Sequence, residues 1–344
     1  MTNYLRSAAL ANLPAVLSRH DVDVLPLLRR VGIPVACLRD PERPVPVERA
    51  YRLLELAADA AQCPSLGLEM GEVNRLSVLG LLGLVLREEP TFGDALHTLL
   101  RYRQLHNESL LLSLEPLSEG RGDLCLLRLG LAAPPGTPVA QATELGLAML
   151  LRSLRTLMGT PWRPHLACVA HAPLGPRAVY QRVLGAPLQF QAEFDGIVFD
   201  RRDLTLPVRS ADPAMALPAR QQLDQLMAAR GAHSCAQRVD ELVRVLLPAA
   251  RCSADQVALH LGLHRRTLHR HLLREGLSFE GIVDRVRREL GTSLLADRGR
   301  SLAQVSDLLG FSSPPAFSRW FRRAFGQSAR AHRGGASLQT RTAP

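Results

Sequence analysis

Two stretches near the C-terminal end of the chain repeat one pattern. They read Ser253-Ala-Asp-Gln256-Val257-Ala258-Leu-His-Leu261-Gly262-Leu263 and Ser301-Leu-Ala-Gln304-Val305-Ser306-Asp-Leu-Leu309-Gly310-Phe311. Serine, glutamine, valine, leucine and glycine recur in register, 48 residues apart. Ser-x-x-Gln is a capping box, in which two side chains close two orphan backbone donors at a helix start. Val257 and Leu261, like Val305 and Leu309, share one helix face. Each copy then stops at glycine, the residue that most easily takes the left-handed conformation ending a helix.

A second helix is expected after each glycine turn, over His264–Arg274 and over Ser313–Phe325. The first buries Leu268 and Leu272; the second buries Phe317, Phe321 and Phe325. Proline at the first helical position after Ser313 loses only an orphan N–H. A short helix, a tight turn and a second helix make a helix-turn-helix unit. Between the copies, Ile282, Val283, Val286, Leu290, Leu294 and Leu295 fall on one face of a single long helix from Phe279 to Leu295. That helix would hold the two units at a fixed separation.

The outward faces of the two second helices carry the functional expectation. A recognition helix meets base edges with its N-terminal residues and phosphates with later ones. Arg265, Arg266, His269 and Arg270 on the first helix, and Pro315, Ser318 and Arg319 on the second, are therefore base-reading candidates. Arg274, Arg322 and Arg323 are phosphate candidates. Arginine suits both tasks, because its planar fork donates two hydrogen bonds to a guanine edge or clamps a phosphate.

Charge follows the same division. Residues 236–344 hold 18 Arg against 9 Asp+Glu, and residues 1–235 hold 24 Arg against 23. Nearly all of the net +10 thus sits in the last third of the chain, as expected of one module facing a polyanion and one that does not. All 42 basic residues are arginine, a bias given no functional weight.

The stretch Ser253–His332 resembles the AraC/XylS family of transcription regulators. Val257-Ala258, Leu261-Gly262, Arg266-Thr267-Leu268, Arg270 and Leu272 match the first unit of that family. Leu309-Gly310-Phe311, Ala316-Phe317-Ser318-Arg319, Phe321-Arg322-Arg323 and Phe325-Gly326 match the second, more specific run. The chain departs from the pattern at four places. His264 stands where a serine cap is usual and Gly291 where alanine is usual. Ser328-Ala329 replaces Ser-Pro, and His332 replaces tyrosine, so the last short helix is expected to be less well formed. The resemblance implies a double-stranded operator read in two successive major grooves, centres about 34 Å apart, with RNA polymerase as a further partner.

Residues 1–230 read as an α+β ligand-sensing or dimerisation domain, residues 231–235 as a linker, 236–334 as an all-α DNA-binding domain, and 335–344 as a disordered tail. Helices are expected near 4–18, 24–32, 46–62, 91–106, 140–158 and 212–231. Strands are expected at 109–115 and 123–131, joined by the turn Ser118-Glu-Gly-Arg-Gly122, and at 166–171, 188–190 and 196–199. Leu66-Gly-Leu-Glu-Met-Gly71, Gly80-Leu-Leu-Gly83, Thr91-Phe-Gly-Asp-Ala-Leu96 and Val198-Phe-Asp200 resemble the "arabinose-binding" N-terminal domain of regulators close to an ornithine-utilisation activator. That resemblance implies a small-molecule effector, a homodimer, or both. Arg101, Tyr102, His106 and Trp162 are candidates for the pocket.

Several classes are set aside. The longest apolar stretch, Val78–Leu86, is half the length of a membrane span, and the N-terminus lacks the pattern of a secretory signal. The six cysteines make no C-x-x-C pair, which fits a reducing cytosol and leaves no metal site or disulfide framework expected. No nucleophile elbow, H-E-x-x-H or phosphate loop occurs, so neither an enzyme nor a cofactor is expected. Three readings stay open: a ligand-responsive regulator, an orphan regulator whose N-terminal domain only dimerises, and a DNA-targeted enzyme.

Overall fold

The first residues form a strand where a helix was expected. Tyr4–Arg6 (β1) is extended and pairs antiparallel with Pro44–Pro46 (β2). The reason is tertiary: Arg6 N donates to His106 O and Glu108 N donates to Tyr4 O, at 2.9 Å each. A 3-10 turn follows at Ser7–Leu10, and the helix begins only at Leu13–Ser18 (α1), where Pro14 occupies the first turn. The computed structural model describes residues 3–117, 123–133, 136–159, 161–208, 212–229, 235–247, 252–261, 264–296 and 300–333. They form two compact units, Met1–Ala232 and His233–Pro344.

The first unit continues through helices Val24–Val31 (α2), Val47–Ala60 (α3), Leu66–Val73 (α4), Leu81–Arg87 (α5) and Phe92–Tyr102 (α6). Helices α4 and α5 have no counterpart in the expected elements, because short helices rich in Gly and Leu carry no clear periodicity. A five-stranded sheet is then built from Leu110–Leu117 (β3), Leu124–Leu131 (β4), Leu166–Val169 (β5), Leu188–Phe190 (β6) and Asp195–Asp200 (β7), in the order β3-β4-β7-β5-β6. All neighbours are antiparallel except β5 and β6. The turn at 118–122 lies outside the described residues. Ala140–Met158 (α7), Arg177–Leu184 (α8) and Pro213–Ala229 (α9) complete this α+β unit.

The glycine motifs of this unit serve close packing. A Cβ on Gly67 would lie 2.2 Å from Gln141 O, and one on Gly71 would lie 2.3 Å from Ala148 Cβ. Helix α4 therefore crosses α7 at a distance only glycine permits. Gly80 has φ +60°, and a Cβ there would meet the Arg6 guanidinium at 2.8 Å. Thr91 caps α6, its Oγ1 accepting from Asp94 N at 3.1 Å. Two apolar cores result. One lies between the sheet, α5, α6 and α7, and the other gathers α1, α2, α3 and part of α4.

The second unit is all helical among its described residues: Cys235–Leu246 (α10), Ala254–His260 (α11), Arg265–Arg274 (α12), Phe279–Ala296 (α13), Leu302–Leu308 (α14) and Pro314–Phe325 (α15). Helix α10 is an element beyond those expected from the repeat, and it packs its Val239, Leu242, Val243 and Leu246 into the core of the first repeat. The expected linker at 231–235 falls outside the described residues up to Cys235, and the tail at 335–344 lies wholly outside them.

Candidate nucleic-acid interface and effector cavity

Each repeat resolves into two helices, α11 and α12 in the first and α14 and α15 in the second, the latter pair joined by a turn. At the start of α14 the capping box is complete: Gln304 N donates to Ser301 Oγ at 3.1 Å, and Ser301 N donates to Gln304 Oε1 at 2.8 Å. In the first copy Gln256 N donates to Ser253 Oγ at 3.2 Å. Gly310 ends the turn after α14 with φ +66°, and a Cβ there would meet Leu247 O at 2.8 Å. Both its conformation and its surroundings demand glycine. The equivalent Gly262 lies outside the described residues.

The candidate reading residues stand where a partner could reach them. Arg265, Arg266, His269, Arg270 and Arg274 are exposed on α12, opposite the buried Leu268 and Leu272. Pro315, Ser318, Arg319, Arg322 and Arg323 are exposed on α15, opposite the buried Phe317, Trp320 and Phe321. Arg265 pairs with exposed Asp255 at 3.1 Å, a surface contact weak enough for a phosphate or base to replace. Arg323 feels the Asp284 carboxylate. Arg266, Arg270, Arg274, Arg319 and Arg322 have no acidic partner among the described residues. Leu273 is also exposed, at 66%, on the stripe of Arg266 and Arg270; its apolar side chain was outside the charge-based reading.

What fixes the second repeat escaped the sequence reading: three side chains on α13, with Trp320 facing them. Trp320 Nε1 donates to Asp284 Oδ1 at 2.6 Å, and Arg288 Nε donates to Asp284 Oδ2 at 2.8 Å. Burial pushes the Asp284 carboxyl up, but the Trp320 and Arg288 hydrogen bonds outweigh it and hold the group below its ordinary value. Half-buried Arg287 donates to Leu309 O at 3.0 Å and to Gly310 O at 3.1 Å, and lies 4.2 Å over the Phe311 ring. Arg288 Nη1 donates to Ala324 O at 2.7 Å. Both arginines thus satisfy carbonyls at helix C-termini, where a cation is favoured. On the other side, Arg285 of α13 meets Asp240 of α10 at 3.0 Å, and Glu289 accepts from Arg244 of α10. The linking helix is thus tied by charged side chains to α10 on one side and to the second repeat on the other.

The final segment is better formed than its departures implied. Residues 329–333 are helical, Ser328 Oγ accepts from Ala331 N at 3.2 Å, and His332 packs 5.5 Å from Phe321 and 5.4 Å from Phe325. His332 therefore fills an aromatic position. At the start of α12, His264 makes no side-chain cap bond.

In the first unit the four pocket candidates do not converge. Tyr102 OH and Arg101 Nη2 both donate to Asp224 of α9, at 2.7 and 2.8 Å. Trp162 donates to Asp203 at 2.8 Å and packs against Phe92 and Phe199 in the core. Of the four, His106 alone lines the cavity of about 90 Å³ that is walled mainly by leucines such as Leu54, Leu112 and Leu145. Sequence could not separate these roles, because β3, α7 and the chain around Leu5 come together only in the fold. Tyr51, Asn107 and Ser153 supply the other polar groups of its wall. Tyr51 OH and Ser109 Oγ share a hydrogen bond, and Asn107 Nδ2 donates to Tyr51 OH at 3.3 Å. His106 Nδ1 is buried without a partner. Burial, reinforced by the charge of Arg6, lowers its pKa to about 4, so the ring is neutral at pH 7.

Comparison with known proteins bears on both units. Residues 22–208 match the arabinose-binding N-terminal domain of AraC transcription regulators, and residues 257–335 match a helix-turn-helix domain. The chain is 32% identical to the HTH-type transcriptional regulator VirS of Mycobacterium tuberculosis over 331 residues, 96% of either chain. It belongs to the AraC family. This AraC-type chain is also 27% identical to the ornithine utilization regulator of Pseudomonas aeruginosa, over 77% of each chain. A third relative, the HTH-type transcriptional regulator VqsM of the same organism, is 23% identical over 76% of this chain and 81% of its own. The relatives are DNA-binding transcription regulators, and this AraC-type protein is one too. Among its described residues no helix is long and apolar enough to cross a membrane.

Proposed function

We propose that this regulator reads two successive major grooves on one side of a duplex, with α12 in the first and α15 in the second. The observation that carries the reading is the pair of matched helix faces, each with arginines exposed opposite a buried apolar stripe. Arg265, Arg266, His269 and Arg270, with Pro315, Ser318 and Arg319, take the base edges; Arg274, Arg322 and Arg323 take phosphates. Leu273 joins the first group as an apolar contact suited to a thymine methyl. Phosphate contacts would make affinity fall steeply with salt.

The cavity beside His106 is the effector site in this reading. Its wall calls for a small, largely apolar molecule carrying one polar group to pair with His106, Asn107 or Tyr51. Binding there would act on a cytoplasmic homodimer formed through residues 1–230, which works with RNA polymerase at a promoter. The runner-up, a regulator whose N-terminal unit only dimerises, is disfavoured by the unpartnered His106 Nδ1.

Selection of the full-length protein against random duplexes tests the DNA reading. Wild type should enrich two short motifs about one helical turn apart; Arg270→Ala should blur one and Arg319→Ala the other. Binding without enrichment, weakened equally at every sequence by both substitutions, would reduce the unit to a non-specific polyanion binder.

A further inference from the structure

We propose that His20, Cys63 and Glu69 form a binding site for a divalent cation of borderline softness, such as Zn²⁺ or Co²⁺. His20 lies more than forty residues from Cys63 and Glu69, which are themselves close in sequence, yet the three meet at one point of the first unit, where one ligand atom from each lies within 4.8 Å of the others. His20 Nε2 is 3.2 Å from Glu69 Oε2, and Cys63 Sγ is 3.4 Å from Glu69 Oε1. Zinc bonds of about 2.3 Å to sulfur and about 2.0–2.2 Å to nitrogen and oxygen place tetrahedral ligand atoms about 3.3–3.6 Å apart. The imidazole and the thiol each lie near that spacing from one of the two Glu69 oxygens, and rotations of the His20 and Glu69 side chains would close the remaining gap, within 4.8 Å, around one ion.

The surrounding fold favours a positive charge. His20 follows the C-terminus of α1, and Cys63 follows the C-terminus of α3. Two negative helix ends thus accompany the carboxylate. Asp21 and Gln62, immediately next to the two ligands, have φ of +57° and +48°. They are two of the three described non-glycine residues held in the left-handed region. The chain turns sharply at both places, and the turns bring the imidazole and the thiol together.

Access and selectivity also fit. Cys63 is buried, whereas the side chains of His20 and Glu69 are 26% and 20% exposed, so an ion can enter from solvent and keep a water as fourth ligand. A thiolate, an imidazole and one carboxylate select a zinc-like ion over calcium or magnesium, which prefer oxygen donors. The ion would join the ends of α1 and α3 to α4, the helix that crosses α7 through Gly67 and Gly71. A cation at this point would stiffen the N-terminal unit against thermal unfolding.

Titration of the metal-free, full-length protein with Co²⁺ tests the site. One equivalent should bind, with an intense near-ultraviolet thiolate-to-cobalt band and the visible bands of four-coordinate cobalt. Cys63→Ser should abolish the ultraviolet band, while His20→Ala and Glu69→Gln should each weaken binding at least tenfold. Zn²⁺ should raise the melting temperature of wild type and leave that of His20→Ala unmoved. If Cys63→Ser does not fold, the His20→Ala and Glu69→Gln titrations decide alone. A cobalt band that survives in Cys63→Ser, binding only at millimolar cobalt, or equal affinity in wild type and His20→Ala would overturn the proposal.

Discussion

The two helix-turn-helix units share a repeated sequence but are held together by different physics. The first is built on aliphatic side chains: Val257, Leu268 and Leu272 pack with Val239, Leu242 and Val243 of α10. The second is aromatic. Phe311, Phe317, Trp320, Phe321, Phe325 and His332 form one cluster, with Phe321 and Phe325 stacked at 4.3 Å. Its helix α15 opens on a serine cap, whereas α12 opens on a histidine that makes no cap bond. Helix α13 adds a part-buried tryptophan–aspartate bond and two arginine clamps to the second helix-turn-helix unit. The lesson is that a duplicated motif keeps its surface chemistry, two arginine faces, while the supports beneath diverge.

The largest effect should come from Phe321→Ala. Removing a fully buried ring costs about 3–5 kcal/mol, and Phe321 is 0% exposed. Denaturant unfolding followed by Trp320, the one tryptophan of the second unit, in a Trp162→Phe background should record that loss. The second half-site should vanish from a footprint while the first remains. A cost below about 1 kcal/mol would erase the claimed role of the aromatic cluster.

Arg287→Ala comes next. It leaves the carbonyls of Leu309 and Gly310 without their charge-assisted donors, at an expected cost of about 2–3 kcal/mol. Arg287→Lys should recover only part of this, because an ammonium lacks the fork that reaches two carbonyls. Unchanged unfolding, together with unchanged discrimination between operators of different half-site spacing, would show that α13 does not fix the second unit through this residue.

Two smaller changes should narrow the difference between the units. Gly291→Ala should stabilise α13 by about 1 kcal/mol. A Cβ there would lie 3.5 Å from Leu309 Cδ1 and 3.8 Å from the Trp320 ring, in ordinary contact. A lower melting temperature would mean that this space is tighter than those distances imply. His264→Ser gives α12 the cap that α15 already has, worth about 0.5–1 kcal/mol. Slower hydrogen exchange at the Arg266 and Thr267 amides is the expected signature; unchanged exchange would show that the first turn of α12 is already fully held.

Much of this organisation could be read along the chain. The capping serines, the glycine at 310, the apolar stripes and the outward arginines are local features, each set by helix geometry within a few residues, so their spacing alone placed α11, α12, α14 and α15. The paired strands β3 and β4 were legible for the same reason. Other features depend on partners distant in sequence. Tyr4–Arg6 reads as part of a helix until its backbone finds Pro44–Pro46 and His106. Arg101, Tyr102 and Trp162 read as pocket residues until Asp224 and Asp203 claim their polar atoms.

Sequence by itself therefore determined the two helix-turn-helix units, their exposed arginine faces and the family, since all three rest on periodic, short-range patterns. The tertiary structure alone decided which histidine lines a cavity, which arginines of α13 hold carbonyls rather than face solvent, and which histidine, cysteine and glutamate meet. Those outcomes depend on how separate helices and strands pack, and packing distances between remote segments leave no period in the chain.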